Sequence, residues 1–447
     1  EILHEWKISE TQKLHNTVFY YNSNGWFDYD GSWADTSMLR VDRAHGFVLK
    51  QNLSNTIIRA GVDLVQWGWL PRYEWSHENG TLTVGAEYRY HKGVHWAKVQ
   101  YAEGLPSNYN PDYRFYQYEG IKNMASLYVA EVYHMQENLS VMANLQFAYN
   151  KYQIQNEKFL GNSFSIPYYF LNPRLGVNYN ITDEWNTYIS FGYTTREPRL
   201  RNLYAAEDAY FGATPVFEAT TVANKTIYDF TKPLVKPEQL LDFELGAGYK
   251  TEKITGNVNV YWMEFTHELV KSGQIDIFGN PVYGNADRTR HFGFEADATI
   301  QASNELSISG NFTLSSNKIV RYSFIDSASG GVRYARNLDG NPIAGFPDVM
   351  GNLRINYQVG NLTTSLAAKY VGSFYTDNFK NADNKNDAYT LVNFESLYTL
   401  PKIMDTEIAL RGEIRNVLNR LYLQTGEGAE FFPAAERNYL IGISATL

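Results

Sequence analysis

The residues best suited to chemistry lie in Thr194-Thr-Arg-Glu-Pro-Arg-Leu-Arg-Asn-Leu-Tyr204, which sets Arg196, Arg199 and Arg201 in one short stretch. A guanidinium is a planar fork of donors, and three of them match the paired oxygens of carboxylates or catecholates. The plainer reading is that Arg196 pairs with neighbouring carboxylates and the other two are solvated. His91 and His95 are four apart beside Trp96. On a strand that spacing separates them by about 13 Å, too far to share a metal unless the chain turns at Gly93. Asp383-Asn-Lys-Asn-Asp387 carries oxygen ligands but lacks the glycine and closing glutamate of an EF-hand loop, so it reads as a solvated loop. No P-loop, G-x-S-x-G or H-E-x-x-H pattern occurs, and Gly246-Ala-Gly248 falls inside an expected strand, where glycine relieves crowding. These residues point to binding. No nucleophile stands at a useful spacing from a base, so an enzyme is not expected, and no cofactor or metal is assigned.

Composition narrows the setting. The 447 residues carry a net charge of −9, which disfavours a broad basic surface for nucleic acid. With no cysteine, disulfide frameworks and thiolate chemistry are excluded. Aromatic residues are abundant, with 9 Trp, 35 Tyr and 25 Phe, yet mean hydropathy is −0.40. No run approaches the roughly 20 apolar residues of a spanning helix. A membrane β-barrel fits both facts, because only every second residue of a strand meets lipid.

Period-two alternation runs along most of the chain. Trp185, Thr187, Ile189, Phe191 and Tyr193 share one face of a strand, and Asn186, Tyr188, Ser190 and Gly192 share the other. Ile254, Val258, Val260 and Trp262 repeat the scheme, as do Tyr439, Ile441 and Ile443. A soluble sandwich also alternates, so the connections decide. Short turns are expected at Ser9–Gln12, Leu53–Asn55, Glu78–Gly80, Gln136–Asn138, Thr182–Glu184, Thr251–Lys253, Ala302–Asn304, Val359–Gly360 and Pro401–Met404. Between them lie long segments at 24–43, 96–121, 196–236, 267–283, 317–346, 373–387 and 417–435. Tight turns at one rim and long loops at the other mark an all-β, antiparallel, up-and-down transmembrane barrel.

About 19 strands are expected, at 2–8, 13–23, 44–52, 55–65, 69–77, 81–92, 122–134, 139–152, 168–180, 185–195, 238–250, 254–266, 284–301, 305–316, 347–358, 361–372, 388–400, 404–416 and 436–446. The break near Gly68 has a competitor, a hairpin at Lys92-Gly93. Single-chain bacterial barrels close with an even number, so about three further strands are expected before Glu1, making roughly 22. By strand parity Arg196 points into the lumen near the long-loop rim, with Arg199 and Arg201 at the root of the longest loop. Trp26, Trp33, Tyr109, Tyr204, Tyr210 and Phe211 would line the vestibule there or form an aromatic girdle. Glu407, Arg411, Glu413 and Arg415 alternate on one face and should make a lumenal charge ladder.

Four blocks in register resemble the TonB-dependent outer-membrane receptors. Leu171-Asn-Pro-Arg-Leu-Gly-Val-Asn-Tyr179 with Tyr188-Ile-Ser-Phe-Gly-Tyr-Thr-Thr-Arg-Glu-Pro198 is similar to a mid-barrel block of that family. Val235-Lys-Pro-Glu with Phe243-Glu-Leu-Gly-Ala-Gly-Tyr249 resembles a second, Asn285-Ala-Asp-Arg-Thr-Arg-His-Phe-Gly-Phe-Glu295 a third, and Arg415-Asn-Val-Leu-Asn-Arg-Leu-Tyr422 a fourth. Two features depart from it. The terminal residue is Leu447 where an aromatic is expected, and residues 1–447 contain no match to the plug domain or TonB box.

The resemblance implies residues 1–447 as the barrel portion of a receptor in the outer membrane of a Gram-negative bacterium. It implies active import of a scarce ligand, first a ferric siderophore or similar iron complex, with cobalamin, haem or oligosaccharide as alternatives. Its partners would be that ligand, outer-membrane lipid, and TonB engaged through a preceding plug. The barrel would be monomeric or bound to a surface-exposed lipoprotein. A passive porin is the rival from another class.

Overall fold

The computed structural model describes residues 1–223, 225–275, 281–327, 333–402 and 406–446. Alternating residues with β-branched and aromatic side chains fold into long strands. In chain order the first are β1 (Ile2–Lys7), β2 (Gln12–Asp30), β3 (Ser54–His77), β4 (Gly80–Glu103), β5 (Arg114–Gln136), β6 (Leu139–Gln155), β7 (Phe164–Asn180) and β8 (Trp185–Arg196). Then come the short hairpin β9 (Phe217–Val222) and β10 (Lys225–Pro233), followed by β11 (Glu238–Lys250), β12 (Ile254–Ile275), β13 (Pro281–Gln301) and β14 (Leu306–Arg321). The remainder are β15 (Ser323–Ser327), β16 (Arg333–Asn337), β17 (Val349–Val359), β18 (Leu362–Val371), β19 (Phe374–Tyr375), β20 (Lys385–Asn386), β21 (Tyr389–Thr399), β22 (Glu407–Arg415), β23 (Leu423–Glu427), β24 (Glu430–Pro433) and β25 (Asn438–Thr446). Seventeen of these form one sheet, and the other eight pair as four small hairpins within the long connections. The sheet is an antiparallel meander, each strand joined to the next in sequence wherever its register is given.

The count is two below the expectation, for two local reasons. Residues 44–52 are not a strand. Asp42 caps a 3-10 turn at Arg43–His45, its carboxylate accepting the His45 N–H at 3.1 Å, and Gly46 closes the turn at φ +88°. The segments 55–65 and 69–77 are one strand that runs through Gly68 without a break. Gly68 stands opposite Phe19, and a Cβ there would lie 2.6 Å from Cε1 of that ring. The glycine serves close approach, not a turn. The competing hairpin at Lys92-Gly93 is absent too, since Lys92 pairs with Val65 and Gly93 with Gly120.

The short turn expected at Leu53–Asn55 is therefore the end of a long connection at 31–53, and Trp26 belongs to β2. With these corrections short and long connections alternate from β1 to β12, and the connections after β14, β18 and β22 are again long. Part of the expected 267–283 loop is the upper end of β12 and β13. Residues 276–280, Ile403 and Met404 of the expected Pro401–Met404 turn, and Leu447 lie outside the described residues.

The chain clusters into two units. One holds residues 1–133, 143–173 and 194–237, and the other holds 134–142, 174–193 and 238–447. In the first, Val18 and Tyr20 of β2 face the same way as Trp67 and Trp69 of β3, all well exposed. In the second, Val258, Val260 and Trp262 of β12 and Phe292 and Phe294 of β13 make the matching exposed band. Ile441 at 91% exposure is the extreme case. Exposed apolar surface on this scale is placed for lipid.

The opposite face is polar, with tyrosines laid over glycines. Tyr128 covers Gly85, Tyr188 covers Gly246, and Tyr261 covers Gly293, where a Cβ would lie 2.5 Å from Cζ. Each glycine leaves a notch on the pleated face, and a cross-strand ring fills it. Gly85→Val should cost about 1–3 kcal/mol by forcing Tyr128 out of its place. In a Tyr128→Ala background the same change should cost much less. Urea unfolding of the four proteins in one detergent measures the coupling.

Candidate functional site

The arginine-bearing segment lies in the first unit, where β8 ends at Arg196 and the chain turns into 197–216. Its first anchor is Glu197. The Lys122 ammonium of β5 donates to Glu197 Oε1 at 2.7 Å, and Asn150 of β6 donates to Oε2 at 3.0 Å. Pro198 follows, buried, and disfavours further strand by removing a donor. The Arg199 N–H then donates to Asn202 Oδ1 at 3.0 Å, opening the short helix Leu200–Leu203. A 3-10 turn at Ala206–Phe211 ends on Gly212 at φ +104°, a left-handed conformation that favours glycine.

Arg201 does not stand as an open anion receptor. It pairs with Glu207 at 3.0 Å and Asp208 at 2.6 Å, so its fork clamps the following turn. Glu207 also accepts the Tyr118 hydroxyl at 2.7 Å, and the Tyr118 ring stacks on His95 at 4.8 Å. Tyr204 is 1% exposed, so it offers no surface to a ligand. Its hydroxyl donates to Glu157 Oε1 at 2.5 Å and accepts from Asn162 at 3.1 Å. Burial, reinforced by the Glu157 carboxylate, keeps this phenol protonated far above its usual range.

Tyr210 is also buried, stacked on Tyr116 at 5.9 Å and edge-on to Phe115 at 4.9 Å. Its hydroxyl meets that of Tyr29 at 3.5 Å. Trp33 sits half-exposed in the 31–53 connection, with its indole N–H on the Asp30 carbonyl at 2.9 Å and its ring edge-on to Phe211 at 5.5 Å. These contacts draw the 31–53 and 197–216 connections together. Trp26 stands apart from them. It lies on the same outward face as Trp67 and Trp69, with the Arg59 guanidinium 3.6 Å from its ring centre. Arg59 in turn makes a bidentate pair with Asp28 at 2.7 and 2.8 Å. That is the arrangement of an aromatic girdle.

Of the seven expected ligand residues, Arg196 and Arg199 are therefore the exposed cations, and Trp33 is a partly exposed ring set against Phe211. Arg201, Tyr204 and Tyr210 hold the platform from below. The residues that sequence reasoning overlooked are Lys122, Glu157, Glu207, Asp208 and Arg40. Arg40 is 8% exposed, donates to the Phe115 carbonyl, and lies 4.1 Å from the Phe159 ring centre. Only Lys122 carried a signal, as a cation on the inward parity of β5.

The 31–53 connection also contains an acid-sensitive turn. Asp35 accepts the Ser37 hydroxyl at 2.6 Å and the N–H groups of Ser37 and Met38 at 2.8 and 2.9 Å. The Ser37 hydroxyl first, then the Met38 N–H, hold its carboxyl below the usual 3.8. A lowered carboxyl stabilises the fold above 3.8, and that contribution is lost as pH falls through the folded value. Amide protection factors at Ser37 and Met38 should drop over that interval, and Asp35→Asn should remove the dependence.

The remaining expected sites stay separate. His91 is held by Gln66 at 3.3 Å, and among the described residues no group of three His, Cys, Asp or Glu is placed to hold a metal. In the second unit Arg411 reaches Glu395 at 2.8 Å and Glu413 at 3.5 Å, and Arg415 reaches Glu413 at 2.5 Å, which joins Arg411, Glu413 and Arg415 of the expected ladder.

Residues 3–417 match the family described as TonB dependent receptor-like, beta-barrel. The chain belongs to that family. Solved structures agree in fold. The ferric citrate transporter FecA in its unliganded form is 16% identical with a TM-score of 0.69, covering 99% of this chain and 60% of that one. The siderophore receptor PiuA from Acinetobacter baumannii is 14% identical with a TM-score of 0.69, covering 98% and 62%. The copper transporter OprC is 13% identical with a TM-score of 0.69, covering 98% and 63%. The chain thus spans about three-fifths of the length of these proteins.

Proposed function

We propose that this chain is the barrel portion of a TonB-dependent importer in the outer membrane of a Gram-negative bacterium, with a ferric siderophore or similar anionic iron complex as its ligand. The reading rests on one observation: Arg196 and Arg199 are exposed at the mouth of β8, on a segment anchored by Glu197, Arg201, Tyr204 and Tyr210. Guanidiniums on a fixed platform lose little freedom on engaging carboxylate or catecholate oxygens. Trp33 and Phe211 add an exposed aromatic pair on the connections of the same unit. The names of FecA and PiuA support an iron complex, and that of OprC keeps a metal of another kind as the alternative. TonB would act through a plug outside these 447 residues, for which the unmatched two-fifths of the relatives leaves room.

Arg196→Gln combined with Arg199→Gln should weaken binding of ferric citrate or a ferric catecholate by about tenfold or more, the loss of charge-assisted hydrogen bonds. Radioiron uptake and equilibrium binding by the intact receptor measure it. Unchanged uptake and affinity for both complexes would remove these residues from the site. For the domain assignment, the protein extracted from its own membrane should exceed 51.2 kDa in intact mass.

A further inference from the structure

The outward face of the second unit carries a feature that import does not use. Where the exposed apolar band of β12, β13 and β14 ends on its long-connection side, two arginines share one carboxylate and a lysine stands beside them. Arg290 of β13 stands directly opposite Lys318 of β14, and directly opposite Glu264 of β12. Glu264 accepts from Arg288, from Arg290 at 2.8 Å, and from the Trp262 indole N–H at 3.1 Å. Lys318 is exposed, and among the described residues it makes no ion pair. Like charges directly opposite across two strands destabilise a sheet unless an anion offsets them. Glu264 serves the two arginines, and Lys318 stands opposite Arg290 with no carboxylate of its own among the described residues.

Arg290 and Lys318 line a cleft of about 520 Å³ formed with Trp262, Phe292, Ser316 and Ile319. Its lower wall is apolar and continues into Val260, Phe294, Leu314 and Phe312, all exposed on the same face. Its upper wall is cationic, and the Arg290 guanidinium lies 5.1 Å from the Trp262 ring centre. A headgroup phosphate at the border of the hydrocarbon region, with acyl chains running down the strands, meets both walls at once. A free anion uses only the upper one.

We propose that this cleft docks a phosphate-bearing lipid of the leaflet on the long-connection side, its phosphate between Arg290 and Lys318 and its chains on the Phe292–Leu314 band. The site is separate from the arginine-bearing segment, which lies in the other unit.

Native mass spectrometry of the intact receptor, released from neutral-detergent micelles doped with dioleoyl phosphatidic acid or dioleoyl phosphatidylcholine, tests this. The wild type should retain phosphatidic acid preferentially. Arg290→Gln with Lys318→Gln should cut that preference by roughly thirtyfold, the effect of two basic side chains near an anionic lipid surface. Lys318→Gln alone leaves Glu264 with both arginines, and should cut it by roughly fivefold. The single variant decides the matter where the double variant fails to fold. Equal retention of both lipids by the wild type, or an unchanged preference in Lys318→Gln, would overturn the proposal. Displacement of phosphatidic acid by inorganic phosphate at equal concentration would overturn it in favour of a free-phosphate site.

Discussion

Lys122→Met should loosen the whole 197–216 connection, at a cost of about 3 kcal/mol. The reason is the partner left behind. Glu197 keeps only 10% of its side chain exposed, and Asn150 alone cannot replace an ammonium. Removing one member of a largely buried pair leaves a desolvated charge, whereas removing both leaves none. Lys122→Met with Glu197→Gln should thus recover most of the loss, and the double-mutant cycle reports a coupling well above that of surface ion pairs. Hydrogen exchange across 197–212 should read the local opening. Binding of the iron complex should weaken in the single variant and return in the double one, because Arg196 and Arg199 are placed by this anchor. A cycle with no coupling would show that Lys122 and Glu197 do not act as a pair.

Lys271→Ala should be comparably severe in the second unit. Lys271 of β12 meets Glu427 of β23 at 3.0 Å, and Glu427 also accepts the Gly273 N–H at 3.0 Å. Glu427 is 2% exposed. Burial holds its carboxyl above the usual 4.5, while Lys271 opposes the shift. The folded state then binds a proton more tightly than the unfolded chain, so this group's stabilising contribution is present below 4.5 and is lost as pH rises through the folded value. Without Lys271 that value moves higher still. The variant should lose about 3 kcal/mol of protection in the β23–β24 hairpin at neutral pH and regain it on acidification. Hydrogen exchange at two pH values separates this from a loss of packing, which acid would not repair. Glu413 makes a useful contrast, since its partners Arg411 and Arg415 are each 53% exposed. Arg415→Ala should cost little, as for other exposed ion pairs.

The iron-complex proposal and the lipid cleft lie on different units and depend on different cations. Arg196 and Arg199 variants should leave phosphatidic acid retention untouched, and Lys318→Gln should leave binding of the iron complex unchanged. Either cross-effect would point to a change in the fold.

Period two was legible in the residues themselves, because a strand sends alternate side chains to opposite faces whatever it pairs with. That alone put Trp185, Val258, Trp262 and Ile441 on the lipid side and Arg411, Glu413 and Arg415 on the other. The alternation of connection lengths told a meander from a sandwich, and the four motif blocks told which family of meanders. Local pattern misled where strands run on past the membrane band, as β4 and β5 do into the expected 96–121 loop, and where one residue type serves two geometries. Gly68 reads as a break and is a notch for Phe19, while Arg43–His45 sits in an alternating stretch that its Asp42 cap turns into a 3-10 element.

The binding site was legible only as a segment. Three arginines within six residues announce cationic character, but which of them faces outward depends on residues far away in sequence. Glu207 and Asp208 take Arg201, and Glu157 takes the Tyr204 hydroxyl. Lys122 reaches Glu197 across 75 residues. Charge and hydrogen bonding act over a few ångströms, and such distances are set by strand register, which no local pattern encodes. The cleft of Arg290 and Lys318 has the same origin. Neither residue has a distinctive sequence context, and they form a site because the β13–β14 register sets them side by side at the edge of an apolar band.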